Sequence, residues 1–189
     1  MPRPPILPTI NWNAVFESGL NFEQWLNVAE NKSHAQAMED ARRSQPLDAH
    51  IMGLLGALSR TVHVIAIAED WCGDVVRHVP VLEAMSDAAP SMKTRYISRE
   101  QWPDVFARFL TNGGEAIPKF IFLSDHFVEC GNWGPMPAYC RELISRGKAA
   151  NDPGVARQKV SALYAADDSR RVVVSELLHL LDIAATSAL

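Results

Sequence analysis

The chain contains the run Val62-His63-Val64-Ile65-Ala66-Ile67-Ala68, which leads through Glu69-Asp70 into Trp71-Cys72-Gly73-Asp74-Val75. The first run is short, rich in β-branched residues and flanked by polar ones, which predicts a buried strand. The segment Gly73–Ala88 follows with apolar residues at helical spacing, which predicts a helix. The sequence therefore predicts a strand that delivers Cys72 to the N-terminus of a helix.

Cys72 lies where a helix would stabilise a thiolate. The unpaired N–H groups and the dipole of a helix N-terminus favour negative charge, and the thiolate is the nucleophile in disulfide exchange. We therefore take Cys72 as the candidate nucleophile. The alternative is a buried structural cysteine that begins a helix, and the local sequence fits both.

The two residues after Gly73 restrict this chemistry. Residues three apart on a helix share a face, so a resolving thiol would have to stand at Val75. Valine cannot form a disulfide, which excludes an intramolecular dithiol cycle at this motif. Asp74 is either a first-turn carboxylate that helps the helix to begin, or a charge that disfavours the neighbouring thiolate unless Arg77 or His78 pairs with it.

The rest of the chain alternates helical and strand patterns. A helix is predicted at residues 22–29, capped by Asn21 with Gln24 as its reciprocal partner, with a continuation to 43. A second helix is predicted from a cap at Asp48 to residue 58, and further helices at 102–110, 137–146, 155–165 and 169–185. Further strands are predicted at residues 94–98, 119–123 and 127–130, the last two joined by Ser124-Asp125-His126 as a hairpin. This order predicts an α/β fold with a central mixed sheet flanked by helices.

Composition bounds the domain organisation and the partners. The 189 residues, 48% of them hydrophobic, predict one domain, residues 1–189, with a core of about residues 47–146. Helical extensions, residues 1–46 and 147–189, are expected to pack on the core or to build a homodimer interface. A net charge of -4 with interspersed signs predicts neither nucleic acid nor a membrane as partner.

Cysteine usage indicates the compartment. Cys72, Cys130 and Cys140 form no disulfide framework, and proline-rich residues 1–8, which predict an extended arm, lack the apolar segment of a signal peptide. We therefore expect a cytoplasmic protein. Cys130 is expected at the end of the predicted strand 127–130, and Cys140 as a small core residue. The histidine and cysteine spacings predict no structural metal site.

Three separated sequence signatures point to a known superfamily. The motif Glu69-Asp70-Trp71-Cys72-Gly73-Asp74, with Pro80 eight residues after the cysteine, resembles the thioredoxin-like superfamily. More narrowly, it resembles a bacterial thioredoxin-like group whose motif is Trp-Cys-Gly-Asp-Cys. Ala116-Ile117-Pro118 is similar to the segment that carries the family's cis-proline, and Gly134 to its glycine after the hairpin. The resemblance implies a thioredoxin-like fold over roughly residues 47–146, with N-terminal and C-terminal helical extensions.

The resemblance also implies roles for individual residues. Cys72 would be the catalytic nucleophile, and the substrate groove would be formed by Trp71, Gly73, Asp74, Ile117, Pro118 and Trp133. The backbone beside Pro118 would pair with an extended peptide. Two departures weaken a dithiol activity: Val75 replaces the resolving cysteine, and Ala66 stands where many thioredoxins have a buried carboxylate.

Three functions fit these observations. The first is a monothiol thiol-disulfide oxidoreductase without a bound cofactor, in which Cys72 attacks a protein or peptide disulfide and an external thiol such as glutathione resolves the mixed disulfide. The alternative is a redox-inactive thioredoxin-fold module that binds a protein or peptide in the groove. The third is a metal cluster that Cys72 shares with glutathione across a dimer, as in some monothiol glutaredoxins, although their motif differs.

Overall fold

The computed structural model describes residues 6–186, so the extended arm predicted at residues 1–8 falls mostly outside it. The helices in this range are α1 (Trp12–Glu17), α2 (Phe22–Val28), α3 (Lys32–Ser44), α4 (Ala49–Gly56), α5 (Gly73–Ala88), α6 (Pro103–Phe106), α7 (Ala138–Ala149), α8 (Pro153–Ala166) and α9 (Arg171–Thr186). The strands are β1 (Val62–Ile67), β2 (Met92–Ile97), β3 (Lys119–Leu123) and β4 (Glu129–Trp133). None of these helices is long and apolar enough to cross a membrane.

The strands form one mixed sheet in the order β2-β1-β3-β4. β2 lies parallel to β1, whereas β3 and β4 continue the sheet in antiparallel pairing. The register places Ile67, the last residue of β1, beside Lys119, the first residue of β3. The predicted mixed sheet is confirmed, and its register brings the segments that precede Cys72 and follow Pro118 to the same end of the sheet.

Helices cover both faces of the sheet. Side chains alternate between the faces of a strand. On one face, the ring of His63 contacts Phe16 of α1, with 4.8 Å between the ring centroids. On the other face, α5 and α9 pack together and on the sheet, while α3 and α4 pack on the outside of α5. Helix α5 is therefore enclosed on most sides, and Val75, Leu82 and Met85 are fully buried.

The hydrophobic core extends beyond the predicted range of residues 47–146. Val15 of α1 and Met38 of α3 belong to it, as do Leu177 and Leu181 of α9. Both extensions supply apolar helix faces that bury the sheet, so the hydrophobic core includes residues on either side of that range. Helix α9 packs directly on β3 and β4. Helices α7 and α8 form a hairpin that is inserted in the sequence between β4 and α9.

The predicted helix starts are largely correct where a polar side chain caps the helix. Asn21 and Gln24 form the expected capping box, with reciprocal bonds of 2.9 and 3.0 Å, and Asp48 accepts from the N–H of Ile51 at 2.9 Å. The predicted continuation to residue 43 is a separate helix, α3, because Ala29 is extended and Asn31 caps a new start.

Two of the boundaries that differ from the prediction have a structural reason. The helix expected at residues 102–110 is one α-helical turn, α6, followed by a 3-10 turn at Ala107–Phe109. The strand expected at residues 127–130 begins at Glu129, because Phe127 has a φ of 58° and belongs to the turn. The Phe127 ring stacks on His63, with 4.1 Å between centroids. The apolar side chain of Phe127 therefore serves to cover the His63 ring from a turn and is not part of a strand.

Candidate active site

Cys72 is the N-cap residue of α5, a helix of 16 residues. Its backbone is extended, so the thiol lies beside the first turn and remains half-buried. The Sγ–H group donates to the carbonyl of Ile117, with 3.6 Å between sulfur and oxygen. The sulfur therefore combines partial exposure, a helix N-terminus and a backbone carbonyl from the segment before β3.

A groove beside Cys72 encloses about 320 Å³. Four of the predicted site residues line it: Trp71, Cys72, Asp74 and Ile117. Its other walls come from the loop before β3, from the segment between β4 and α7, and from α7 itself. They include Asn112, Glu115, Pro135, Arg141 and Lys148. We call this cavity the Cys72 groove. The structure thus places most of the predicted residues around one space and adds a charged wall from α7.

Gly73 and Pro118 flank the Cys72 groove. Gly73 is exposed, and a Cβ atom added there would meet nothing within 4 Å, so the approach to Cys72 from this side is open. Pro118 is buried behind Ile117, and the Ile117–Pro118 peptide bond is cis. Ile117, rather than Pro118, supplies the groove surface.

Trp133 does not line the Cys72 groove, contrary to the prediction. Its side chain is 3% exposed and lies on the inner face of β4. The ring stacks on Phe120, and the indole N–H donates to Glu176 of α9 at 2.6 Å. The register pairs Trp133 with Phe120, which turns both side chains toward α5 and α9. Pro135, two residues later, reaches the groove instead.

The other thiols are not placed to resolve a Cys72 disulfide within the chain. Cys130 lies on β4 at the end of the sheet where His63 lies. Ile67, the end of β1 that leads to Cys72, is four residues from His63, which is about 13 Å along a strand. A disulfide needs Cα atoms within about 7 Å of each other. Cys140 is fully buried on α7, and this burial raises the pKa of its thiol. At position 75, where a resolving thiol would lie, the structure has a fully buried valine.

Asp74 has a partner that the sequence did not indicate. The hydroxyl of Tyr164, on α8, donates to Oδ1 of Asp74 at 3.0 Å. His78 Nε2 lies 3.2 Å from the same hydroxyl and 3.9 Å from Oδ1. Burial lowers the pKa of His78 to about 3, helped by the charges of Arg77 and Arg170. His78 is therefore neutral at physiological pH, and its proximity to Asp74 is not an ion pair.

Arg77, one of the two residues that could have paired with Asp74, holds α8 instead. Its guanidinium lies over the Tyr164 ring, 4.3 Å from the centroid, and donates to the carbonyls of Tyr164 and Asp167 at 2.8 and 3.2 Å. Burial raises the pKa of Asp74, while the Tyr164 hydrogen bond and the Arg77 charge oppose that rise. Asp74 is thus a partly dehydrated carboxyl beside the nucleophile.

The exposed aromatic residue of the motif is held by its own neighbours. Trp71 is 55% exposed, and the Arg99 guanidinium lies 5.3 Å from its ring centroid. Glu69 accepts from the N–H of Arg99 at 3.0 Å. Asp70 is 9% exposed and accepts from the N–H of Asn31 at 2.6 Å. These bonds fix the loop between β1 and α5 and hold Trp71 at the groove entrance. Among residues 6–186, no group of three or more His, Cys, Asp or Glu is placed to hold a metal ion.

Lys119 is a buried cation behind the groove, and its removal should stabilise the protein. Its Nζ donates to the Gly134 carbonyl at 2.8 Å, and the residue is 5% exposed. Burial, followed by the Arg141 charge, lowers the pKa of Lys119 to about 8. A base with a depressed folded pKa stabilises the fold fully above its unfolded pKa, and this stability is lost as pH falls through the folded pKa.

We therefore expect Lys119→Met to raise the free energy of unfolding near neutral pH by about 1–3 kcal/mol. Urea unfolding of wild type and variant across the alkaline range measures this. The advantage of the variant should shrink between about pH 8 and about pH 10.5. An advantage that stays constant across this window would show that Lys119 is not the group responsible.

Comparison with known proteins identifies the family. Residues 19–151 match a family model described as Thioredoxin. Two solved structures have a similar fold: a protein of unknown function from Pseudomonas aeruginosa, at 18% sequence identity, and an HIV epitope-scaffold, at 16%. Each alignment covers 92% of this chain and 98% of the other, with a TM-score of 0.70. These identities show the fold alone, and a search of curated proteins gives no match.

The family model and the structural neighbours together confirm the predicted thioredoxin-like fold. The family match begins at residue 19, well before the predicted core, in agreement with the participation of α2 and α3 in packing. It ends at residue 151, before α8 and its Tyr164. Since the family model covers more than half of the chain, this protein belongs to the thioredoxin family within the thioredoxin-like superfamily.

Proposed function

We propose that the protein is a monothiol thiol-disulfide oxidoreductase with Cys72 as its nucleophile. The observation that carries this proposal is the position of the sulfur. It is half-exposed at the N-terminus of α5 and lies beside a groove open to a peptide-sized ligand. A helix N-terminus favours the thiolate that attacks a disulfide. A purely structural cysteine would not need this combination of exposure and groove.

The proposed cycle uses two thiol exchanges. The Cys72 thiolate attacks the glutathione sulfur of a glutathionylated protein, a new disulfide forms at Cys72, and the protein sulfur leaves as a thiol after protonation. A free glutathione thiolate then attacks the disulfide at Cys72, glutathione disulfide leaves, and the Cys72 thiolate is restored. Overall, two electrons pass from glutathione to the disulfide of the glutathionylated protein, which is reduced to the protein thiol. An external thiol is needed because Val75 cannot resolve the intermediate.

Cys72→Ser is expected to abolish this turnover. The substrate is a peptide glutathionylated on its single cysteine, and release of the reduced peptide is followed in the presence of excess glutathione. Because serine is not a nucleophile for disulfides at neutral pH, the variant should react at the uncatalysed rate. Cys130→Ser is the matched control, since it removes a thiol at the far end of the sheet, and it should keep the wild-type rate. Equal rates for wild type and Cys72→Ser would overturn the proposal.

The second candidate is a redox-inactive peptide-binding module. The observation that favours it is the pair of fully buried apolar residues Val75 and Ala66, which stand where dithiol thioredoxins have reactive or proton-transferring groups. In this case the groove formed by Trp71 and Ile117 would bind an extended peptide without exchange. Peptides selected from a random library should then bind wild type and Cys72→Ser equally, and Trp71→Ala should weaken both.

A further inference from the structure

Helix α8 brings a tyrosine to the beginning of α5 from outside the segment that matches the family model. Tyr164 lies 90 residues beyond Asp74 in sequence, and its hydroxyl donates to the Asp74 carboxyl. Gly147 allows α7 and α8 to pack closely, since a Cβ atom there would come within 2.3 Å of the Ala156 Cβ. Arg77 fixes the last turn of α8 through two backbone carbonyls. Tyr164 is therefore fixed by the packing of α8 on α7 and by the contacts of α8 with Arg77 of α5.

The Asp74 carboxyl has the position that a proton-transfer group would need. It lies two residues after Cys72, lines the same groove, and its side chain is 29% exposed. The residue thus borders the cavity in which a substrate of Cys72 would lie, and its side chain is mostly shielded from bulk water. The carboxylate found at another position in many thioredoxins is replaced here by the fully buried Ala66. Asp74 supplies a carboxyl in the first turn of α5 instead.

We propose that Asp74 is the general acid and base of the exchange at Cys72, and that Tyr164 is the positioning residue that holds its carboxyl toward the groove. This inference rests on the proposed function. When the Cys72 thiolate attacks a disulfide, the Asp74 carboxylic acid gives its proton to the leaving thiolate. The resulting carboxylate then takes the proton of the external thiol, which attacks the disulfide at Cys72 as a thiolate. The carboxylic acid and the Cys72 thiolate are thereby restored.

The charged and titratable groups around Asp74 are consistent with this role. They are Arg77 and His78 on α5, Cys140, Arg141 and Lys148 on α7, Tyr164 on α8, Arg170 before α9, Glu115 in the loop before β3, and Cys72 itself. Burial raises the pKa of Asp74, which increases the fraction of carboxylic acid near neutral pH. The Tyr164 hydrogen bond and the Arg77 charge oppose this rise in pKa, so the carboxylate is also available as the base of the second step.

A general acid and a merely structural carboxylate differ in how the reaction rate depends on the acidity of the leaving thiol. Wild type and Asp74→Asn are each mixed in their reduced form with two disulfides, and formation of the Cys72 mixed disulfide is timed. Glutathione disulfide releases a basic thiolate that needs a proton, whereas dithiobis-nitrobenzoate releases an acidic thiolate that needs none. Asparagine keeps the size of the side chain and can still accept from Tyr164.

We expect Asp74→Asn to slow the reaction with glutathione disulfide at least about tenfold. Its reaction with dithiobis-nitrobenzoate should keep the wild-type rate or exceed it, because the variant also removes a negative charge beside the thiolate. Equal changes with both disulfides, or no change with either, would overturn the inference while leaving the proposed function in place. A wild-type protein that reacts with dithiobis-nitrobenzoate but never with glutathione disulfide would overturn both.

Tyr164→Phe tests the positioning residue and keeps the ring under Arg77. The hydroxyl stabilises the charged form of Asp74, so its removal raises the pKa of that carboxyl further. The pH range over which the glutathione disulfide reaction depends on Asp74 should therefore move to higher pH. Unchanged profiles in Tyr164→Phe would contradict the assignment. Thermal unfolding of each variant checks that the fold is retained.

Discussion

Val75→Cys is expected to convert the protein into a dithiol reductase that reduces insulin with dithiothreitol at least about 100-fold faster than wild type. The residue at position 75 lies in the first turn of α5, three residues after Cys72, on the face where a second thiol would resolve a mixed disulfide. An intramolecular thiol acts at a far higher effective concentration than an external one. Cysteine is smaller than valine, so the fully buried site should lose only about 1 kcal/mol of stability.

The controls for this gain separate chemistry from repacking. Val75→Ala also removes side-chain volume at the buried site, but it should show no gain. Cys72→Ser combined with Val75→Cys should be inactive, because the buried thiol cannot begin the reaction. Titration of free thiols after mild oxidation should show the loss of two per molecule in Val75→Cys alone. Absence of this disulfide and of insulin reduction would mean that the Cys72 sulfur is not placed for exchange.

Gly134→Ala should destabilise the fold by about 4 kcal/mol. Gly134 has a φ of 115°, where an L-residue with a Cβ atom is strained, and that Cβ atom would lie 2.0 Å from the Pro118 carbonyl oxygen. Either the chain after β4 or the segment before β3 would have to move. For a chain of this size the loss corresponds to about 8–16 °C in Tm. Calorimetry or thermal unfolding followed by circular dichroism measures it.

Gly53→Ala is the matched control for that substitution. Gly53 lies within α4, and an added Cβ atom there would meet nothing within 4 Å. Because alanine favours a helix more than glycine does, this variant should gain about 0.5–1 kcal/mol. The reactivity of Cys72 should fall in Gly134→Ala, since Pro118 follows the Ile117 carbonyl that contacts its sulfur, and stay unchanged in Gly53→Ala. A stable, fully reactive Gly134→Ala protein would contradict the packing described here.

The sequence predicted those helices and strands whose ends are marked by residues nearby in the chain. The β-branched run before Cys72 and the capping residues Asn21 and Asp48 act on their immediate neighbours, so the strand and the helix starts could be found from sequence. The start of β4 could not. Phe127 has an apolar side chain typical of a strand, but the turn conformation of its backbone lets the ring cover His63. Apolar residues in a turn and in a strand look alike in one sequence.

The site shows the same division. Trp71, Cys72, Asp74 and Ile117 were predicted from motifs in which neighbours along the chain carry the information, and the structure places them around one groove. Trp133 was expected there as well, but strand alternation and its bond to Glu176 turn it inward. The contribution of α7 to the groove had no sequence signal, because it depends on how a helix hairpin packs against the sheet.

The sequence by itself determined that a cysteine begins α5 and that Val75 denies it a resolving partner, since both follow from residues within one helical turn. Only the tertiary structure decided which residue hydrogen-bonds to the Asp74 carboxyl. Arg77 and His78, its neighbours along the helix, do not pair with it, and Tyr164 of α8 does. The physical reason is that burial and hydrogen bonding of a carboxyl depend on whichever elements pack over it. Contacts across 90 residues are set by the shape of the whole core rather than by the local sequence.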